Sequence, residues 1–158
     1  MMLANAGTKP SDHFRIEHKE IKSHLKHIED LNGTLTEQNV SYQKKNMKQI
    51  VAFFEEHIAP HAAWEEQKLY PAIDRRNSKE REAFTTSMRY EHKIIETWVK
   101  NLKTISKSNA PDIKLFMRKT DQLLGLVYAH FEEEEEVLLP ILDQKMTQDQ
   151  FKEEIGTK

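Results

Sequence analysis

The sequence predicts an all-α protein, arranged as an up-down-up-down four-helix bundle with a short C-terminal helix. Three observations predict this class. Apolar residues recur at intervals of three and four, the spacing of one helix face. One segment containing such a stripe recurs 74 residues later, and a second recurs at a constant shift of 69 residues. The chain therefore contains two copies of a helical hairpin, whose four stripes can bury one another in a bundle.

The composition narrows the class of protein further. The 158 residues are enough for one domain with a core, and 37% of them are hydrophobic against 32% charged. The lack of cysteine excludes disulfides, thiolate metal sites and cysteine nucleophiles. A net charge of −2 gives no argument for nucleic acid or an anionic membrane as a partner. Because no stretch reads as a membrane span or signal peptide, we expect a cytoplasmic protein.

The first and third predicted helices share the heptapeptide pattern R-x-E-H-K-x-I. It is written RIEHKEI at 15–21 and RYEHKII at 89–95. In both copies the histidine, His18 or His92, lies within the apolar stripe. The two stripes are Phe14, His18, Ile21, Leu25 and Ile28, and Met88, His92, Ile95, Val99 and Leu102.

Polar and breaking residues delimit these two helices. Ser11 or Asp12 is the predicted cap of the first helix, and Asn32-Gly33 is its predicted end. Ser78 is the predicted cap of the third helix, which the segment KSNAPD at 107–112 should end.

The second and fourth predicted helices share a longer motif. HAAWEEQKLYPAID begins at His61 and HFEEEEEVLLPILD at His130, with Glu four, Leu eight, Pro ten and Asp thirteen residues later. Pro60 should kink the second helix just before His61, and Pro71 and Pro140 fall near helix ends. The matching stripes upstream are Met47, Val51, Phe54 and Ile58, and Phe116, Thr120, Leu123 and Val127.

These elements divide the chain into three parts. We assign residues 1–11 to an N-terminal tail, 12–146 to the bundle, and 147–158 to a short C-terminal helix and tail. Thr147 and Gln150 fit a capping box at the start of that last helix.

The stripes carry residues that are costly to bury without a partner. Residues four apart on a helix differ by about 40° around its axis, so each His-x-x-x-Glu pair points inward together. A buried carboxylate needs a counter-charge, and no Lys or Arg lies at that level of the stripes. Imidazole and carboxylate donors suit iron, manganese or zinc, and two bridging carboxylates suit a metal pair. The predicted ligands are His18, His61, Glu65, His92, His130 and Glu134.

The ligand order and both flanking motifs resemble the hemerythrin-like, or HHE cation-binding, domain family, over residues from about 12 to 143. The resemblance implies a non-haem centre of two iron ions with an oxo or hydroxo bridge. Glu65 and Glu134 would bridge the irons, which would share the four histidines. Family members carry, store or sense dioxygen, handle nitric oxide or peroxide, or sense iron.

The pattern differs from that of the oxygen carriers at one point. Hemerythrins proper place two histidines one turn apart on the third helix, whereas Met88 and Glu96 flank His92 at that spacing. Glu96, and His57 one turn before His61, are candidate extra metal ligands. Four histidines and two bridging carboxylates leave each six-coordinate iron about two non-protein positions. Two open irons favour reaction over reversible carriage.

We therefore expect a di-iron protein that binds and reacts with dioxygen, peroxide or related small oxidants, with nitric oxide as a further candidate ligand. Peroxide decomposition of the catalase type and oxidant reduction are the enzymatic candidates. The alternatives are a reversible dioxygen carrier or sensor, and an iron-binding or storage module without turnover. The run EEEEE at 132–136 is expected to be mostly a solvated face, with only Glu134 at the stripe centre.

Overall fold

The computed structural model describes residues 9–76 and 79–156, and its account of side chains omits 79–83. Within these ranges the chain is helical and contains no strand, as the sequence predicts. No helix in the described part is long and apolar enough to cross a membrane. A single 3₁₀ turn, Leu35–Glu37, lies in the first connection. The helices are α1 (Asp12–Gly33), α2 (40–74), α3 (Lys79–Ser106), α4 (113–145) and α5 (Gln148–Glu154).

Helix packing follows a closed order. Helix α1 packs on α2 and α4, and α3 packs on the same two helices. The buried apolar side chains form two clusters, one containing Ile21, Leu25 and Phe116 and the other containing Phe14 and Leu138. Along α1, the buried His18 comes between Phe14 of one cluster and Ile21 of the other. The buried polar residues therefore lie between two apolar layers.

Three π turns interrupt α2 and α4, and each precedes a proline. In a regular helix a proline ring clashes with the carbonyl four residues earlier and offers no N–H. Here Pro60, Pro71 and Pro140 each lie six residues after the start of a π turn. In a π turn the backbone N–H donates to the carbonyl five residues earlier instead of four. The helices therefore continue past all three prolines. The π turns are Phe54–Ile58, Glu65–Leu69 and Glu134–Leu138.

Most of the helix ends predicted from the sequence agree with those in the structure. Helix α1 begins at Asp12, α3 ends at Ser106 within one residue of KSNAPD, and Thr147 with Gln150 forms the predicted capping box. Ser11 occupies the N-cap position of α1, but its hydroxyl donates to Asp143 Oδ2 at 2.6 Å instead of capping. The predicted cap Ser78 lies outside the described residues.

Candidate metal centre

The structure brings the six predicted ligands together in the interior. His18 lies on α1, His92 on α3, and the two His-x-x-x-Glu pairs on α2 and α4. The carboxylates of Glu65 and Glu134 are 0% exposed, and the most exposed of the six, His92, is 7% exposed. The ligand-type atoms form two clusters that share both glutamates. We call His18 and His61 with these glutamates the first cluster, and His92 and His130 with them the second cluster.

Each histidine pair meets through its Nε2 atoms. His18 Nε2 lies 3.1 Å from His61 Nε2, and His92 Nε2 lies 3.0 Å from His130 Nε2. Glu65 stands between the pairs with one oxygen toward each. Its Oε2 is 3.2 Å from His61 Nε2, and its Oε1 is 3.2 Å from His92 Nε2. A carboxylate with this orientation can hold two cations at once.

Glu134 also lies between the two histidine pairs. Its Oε1 is 3.5 Å from His18 Nε2 and 3.4 Å from His130 Nε2. Among the described residues, Glu134 Oε1 and Glu65 Oε2 are buried atoms without a hydrogen-bond partner. Unpartnered carboxylate oxygens in the interior are costly unless a cation satisfies them. The donor set therefore fits bound metal cations.

The pKa values show a strongly negative local field. Burial lowers the pKa of His61, but Glu65 and Glu17 outweigh burial and raise it to about 10. Burial likewise lowers the pKa of His130, but Glu134 and Glu65 raise it to about 12. The two glutamates differ: burial and Glu65 raise the pKa of Glu134, whereas His61 and its neighbours overcome burial and lower that of Glu65. Such a field attracts positive charge, for which protons and metal ions compete.

Two outer carboxylates orient histidines of the His-x-x-x-Glu motifs. Glu17 Oε1 lies 2.8 Å from His61 Nδ1, and Glu91 Oε1 lies 2.8 Å from His130 Nδ1. A carboxylate at Nδ1 fixes the ring so that Nε2 is free to bind a metal. Glu17 and Glu91 are the Glu of the repeated Glu-His dipeptide, so each dipeptide supplies an inward histidine and a support for the next helix. Sequence reasoning missed this role, although the internal repeat preserves the glutamate.

Two more carboxylates face the remaining histidines at longer range. Glu66 Oε2 is 3.5 Å from His92 Nδ1, and Glu135 Oε2 is 3.8 Å from His18 Nδ1. Glu135 also accepts a 2.7 Å hydrogen bond from Lys22. Its contact with His18 opposes the effect of burial and, with Lys22, lowers the pKa of Glu135 to about 2. Glu135 is thus an exception in a run expected to be mostly solvated. Each of the four long helices offers one carboxylate to a histidine of the next, and α4 offers its carboxylate to α1.

Tyr70 is a site residue that the sequence did not reveal. Its side chain is 0% exposed, and its hydroxyl donates to Glu134 Oε2 at 2.5 Å. Burial, Glu65 and Glu134 all raise the pKa of Tyr70. Tyr70 follows Glu65 by five residues, which in a regular helix places it about 140° away. The π turn Glu65–Leu69 instead brings both onto the inner face.

The candidate extra ligands do not join either cluster. His57 is exposed and its ring lies 5.9 Å from that of His24, nearly parallel. Glu96 is exposed and accepts a 3.0 Å hydrogen bond from Lys100. The π turn Phe54–Ile58 contains His57, so its four-residue spacing to His61 does not place the two on one helix face.

A cavity of about 410 Å³ lies between α2, α3 and α4. Its wall is mostly apolar and includes Ile58, Ala62 and Ile95, while Glu96 and Lys100 also line it. Its inner end reaches the two clusters. The clustered residues along the cavity wall are His61, Glu65, His92 and His130.

In the first cluster, His18 is covered and does not line the cavity. Phe131 stacks on His18 with ring centroids 4.2 Å apart and an interplanar angle of 18°. At the shift of 69 residues between the copies, Phe131 corresponds to Ala62. The small side chain of Ala62 therefore leaves open, in the first copy, the space that the Phe131 ring fills in the second copy.

The family model for the hemerythrin HHE cation binding domain matches residues 9–142. The chain belongs to this family. The match confirms the resemblance deduced from the ligand order, and the two His/Glu clusters are the part of this hemerythrin-like domain that could hold a metal ion. No curated protein and no solved structure matches the chain.

Proposed function

We propose that this hemerythrin-like domain is a non-haem di-iron protein that binds and reacts with dioxygen, peroxide or related small oxidants. The observation that carries the proposal is the position of Glu65, with Oε2 toward the first histidine pair and Oε1 toward the second. A single-metal site would not need two pairs of Nε2 atoms joined through a buried carboxylate. Iron suits this mixture of imidazole and carboxylate donors.

In this proposal the four long helices form an up-down-up-down bundle that spans 12–146. The closed packing order of α1, α2, α3 and α4 supports it. His18 and His61 would hold one iron, His92 and His130 would hold the other, and Glu65 and Glu134 would be available to both. The iron pair would supply electrons that dioxygen or peroxide can accept.

The chain's own residues prepare the site for such chemistry. Glu17 and Glu91 hold Nδ1 of two histidines and so keep Nε2 directed inward. The apolar side chains of Ile58, Ile95 and Val99 line the approach and limit entry of water. The cavity gives a small neutral oxidant a path to His92 and His130 of the second cluster and to His61 of the first.

Reactivity is favoured over reversible carriage, which remains the alternative together with sensing and with iron storage without turnover. The six residues of the clusters include no fifth histidine, and His57 is exposed on the surface. Neither iron would then be closed by an additional imidazole. Catalase-like peroxide decomposition and oxidant reduction both fit an open di-iron centre.

Anaerobic reconstitution with ferrous iron tests the proposal. We expect two irons per chain, His61→Ala to lose most of this iron, and the matched surface variant His57→Ala to retain it. Titration with dioxygen and with hydrogen peroxide should then oxidise the centre, as followed by visible absorption, without a lasting adduct. One tightly bound zinc with no uptake of two irons would contradict the di-iron centre. An oxygen adduct that reverses under vacuum would instead support carriage.

A further inference from the structure

Tyr70 lies at the second cluster and not merely near it. Its hydroxyl oxygen is 3.3 Å from His92 Nε2 and 3.4 Å from His130 Nε2. It is also 3.4 Å from Glu65 Oε1, in addition to its 2.5 Å hydrogen bond to Glu134 Oε2. Four atoms of the candidate ligands thus surround one phenol oxygen. A core tyrosine needs a single acceptor.

Packing alone does not require a tyrosine at this position. The equivalent residue of the second copy is Leu139, which is also 0% exposed. Leucine therefore fills the corresponding space without any polar atom. The Tyr70 ring is held in place by His92, with centroids 5.5 Å apart, and by the Arg89 guanidinium 5.4 Å from its centroid. The hydroxyl is aimed at the cluster by a fixed ring.

We propose that Tyr70 is a further metal ligand, binding as a phenolate through its oxygen to the iron held by His92 and His130. The inference rests on the proposed di-iron function. On binding, the phenolic O–H bond breaks, an oxygen–iron bond forms, and the proton is released to solvent. Phenolate is a hard anionic oxygen donor that suits ferric iron, and tyrosine serves as an iron ligand in haem proteins.

This ligand makes the two metal positions chemically different. An anionic donor stabilises the ferric over the ferrous state, so the second cluster should have the lower reduction potential. Reversible dioxygen carriage requires a readily regained ferrous state. A phenolate ligand therefore favours oxidant reduction over carriage.

The test is visible absorption and resonance Raman spectroscopy of the full chain loaded with ferric iron. We expect a broad phenolate-to-iron charge-transfer band and enhanced tyrosinate ring vibrations. Tyr70→Phe, which removes only the hydroxyl, should lose both signals, keep two irons per chain and raise the reduction potential. The controls Tyr90→Phe and Tyr128→Phe should retain the signals, because Tyr90 is exposed and Tyr128 packs against the apolar cluster that contains Ile21 and Leu25.

The other outcomes are distinct. Two irons per chain without tyrosinate vibrations, or vibrations that survive in Tyr70→Phe, would overturn the ligand and leave the di-iron function standing. Failure of the wild-type chain to take up two irons would overturn the di-iron function and the ligand with it. A change of potential in Tyr70→Phe without loss of a charge-transfer band would show Tyr70 acting only as a hydrogen-bond donor to Glu134, and would also overturn ligation.

Discussion

The first and second clusters have the same ligands and different surroundings. Their histidine pairs are separated by 3.1 and 3.0 Å, and they share both glutamates. In the first cluster Phe131 covers His18 and only His61 of the histidine pair lines the cavity, whereas both histidines of the second cluster line it beside Ala62, and the second cluster also contacts Tyr70. The repeated hairpin thus gives an almost symmetric set of donors. Residues next to the ligands, where the two copies differ, leave the second histidine pair more open to the cavity than the first.

The largest effect should come from a residue that both clusters share. Glu65→Ala removes an oxygen from each, so we expect loss of both irons. Metal bound only to the folded state adds about 4 kcal/mol at 1,000 times its Kd. Each of the two irons should therefore raise the wild-type Tm by about 8–16 °C, whereas iron should leave that of Glu65→Ala nearly unchanged. Scanning calorimetry with and without iron measures this.

Glu133→Ala is the matched control for the shared glutamates. Glu133 neighbours Glu134 in sequence but belongs to neither cluster. Its variant should keep both irons and the thermal shift, whereas Glu134→Ala should behave like Glu65→Ala. Equal loss of iron in Glu133→Ala and Glu134→Ala would mean that the inner face of α4 is wrongly assigned.

The outer carboxylates should give an intermediate effect that depends on distance. Glu17 and Glu91 lie 2.8 Å from Nδ1 of their histidines, whereas Glu66 lies 3.5 Å from that of His92. We expect Glu17→Gln and Glu91→Gln each to weaken iron affinity by about 10–100-fold. Glu66→Gln should weaken it less. Competition with a chelator measures the affinities, and a larger loss in Glu66→Gln would contradict the role given to the short contacts.

The smallest expected effect concerns access to the second cluster. Ala62→Phe copies into the first hairpin the phenylalanine that covers His18 of the first cluster. We expect unchanged iron content but a rate of oxidation by cumene hydroperoxide at least about tenfold lower, since the bulky oxidant must displace the added ring. The rate with hydrogen peroxide should fall less. Stopped-flow absorption compares the two oxidants.

Ala129→Phe controls for the added ring, because Ala129 is exposed and does not line the cavity. This variant should oxidise at the wild-type rate with both peroxides. If Ala62→Phe also oxidises at the wild-type rate, the cavity is not the route to the centre and the covered and open sides do not differ in function.

The sequence could predict the parts of the site that follow from regular helical spacing and from the internal repeat. Three-four periodicity and the internal repeat were enough for the helical class and for the inward positions of residues such as His18 and Glu65. Both signals assume a regular helix. Regular spacing did not indicate Tyr70, because the π turn Glu65–Leu69 changes the direction of its side chain. Regular spacing also wrongly aligned His57 with His61, because His57 lies in the π turn Phe54–Ile58. The internal repeat also gives no information about positions where the two copies differ, such as Tyr70 and Leu139.

The role of the outer carboxylates could not be predicted for another reason. Glu17 and Glu135 lie not at the centre of the inward face of their helices but beside it, where charged residues are normally solvated. Their contacts are with the neighbouring helix, to His61 and His18, so they depend on how helices pack and not on the pattern within one helix.

Mössbauer spectroscopy of the ⁵⁷Fe-loaded, oxidised chain distinguishes the two proposed metal positions. Two irons in one centre would both be held by Glu65 and Glu134, and only the iron at the second cluster would bind Tyr70. We therefore expect two quadrupole doublets of equal area, one for each iron, that merge toward similar parameters in Tyr70→Phe. A single doublet from two irons in the wild-type chain would contradict the difference between the clusters. A single iron per chain would contradict the shared centre itself.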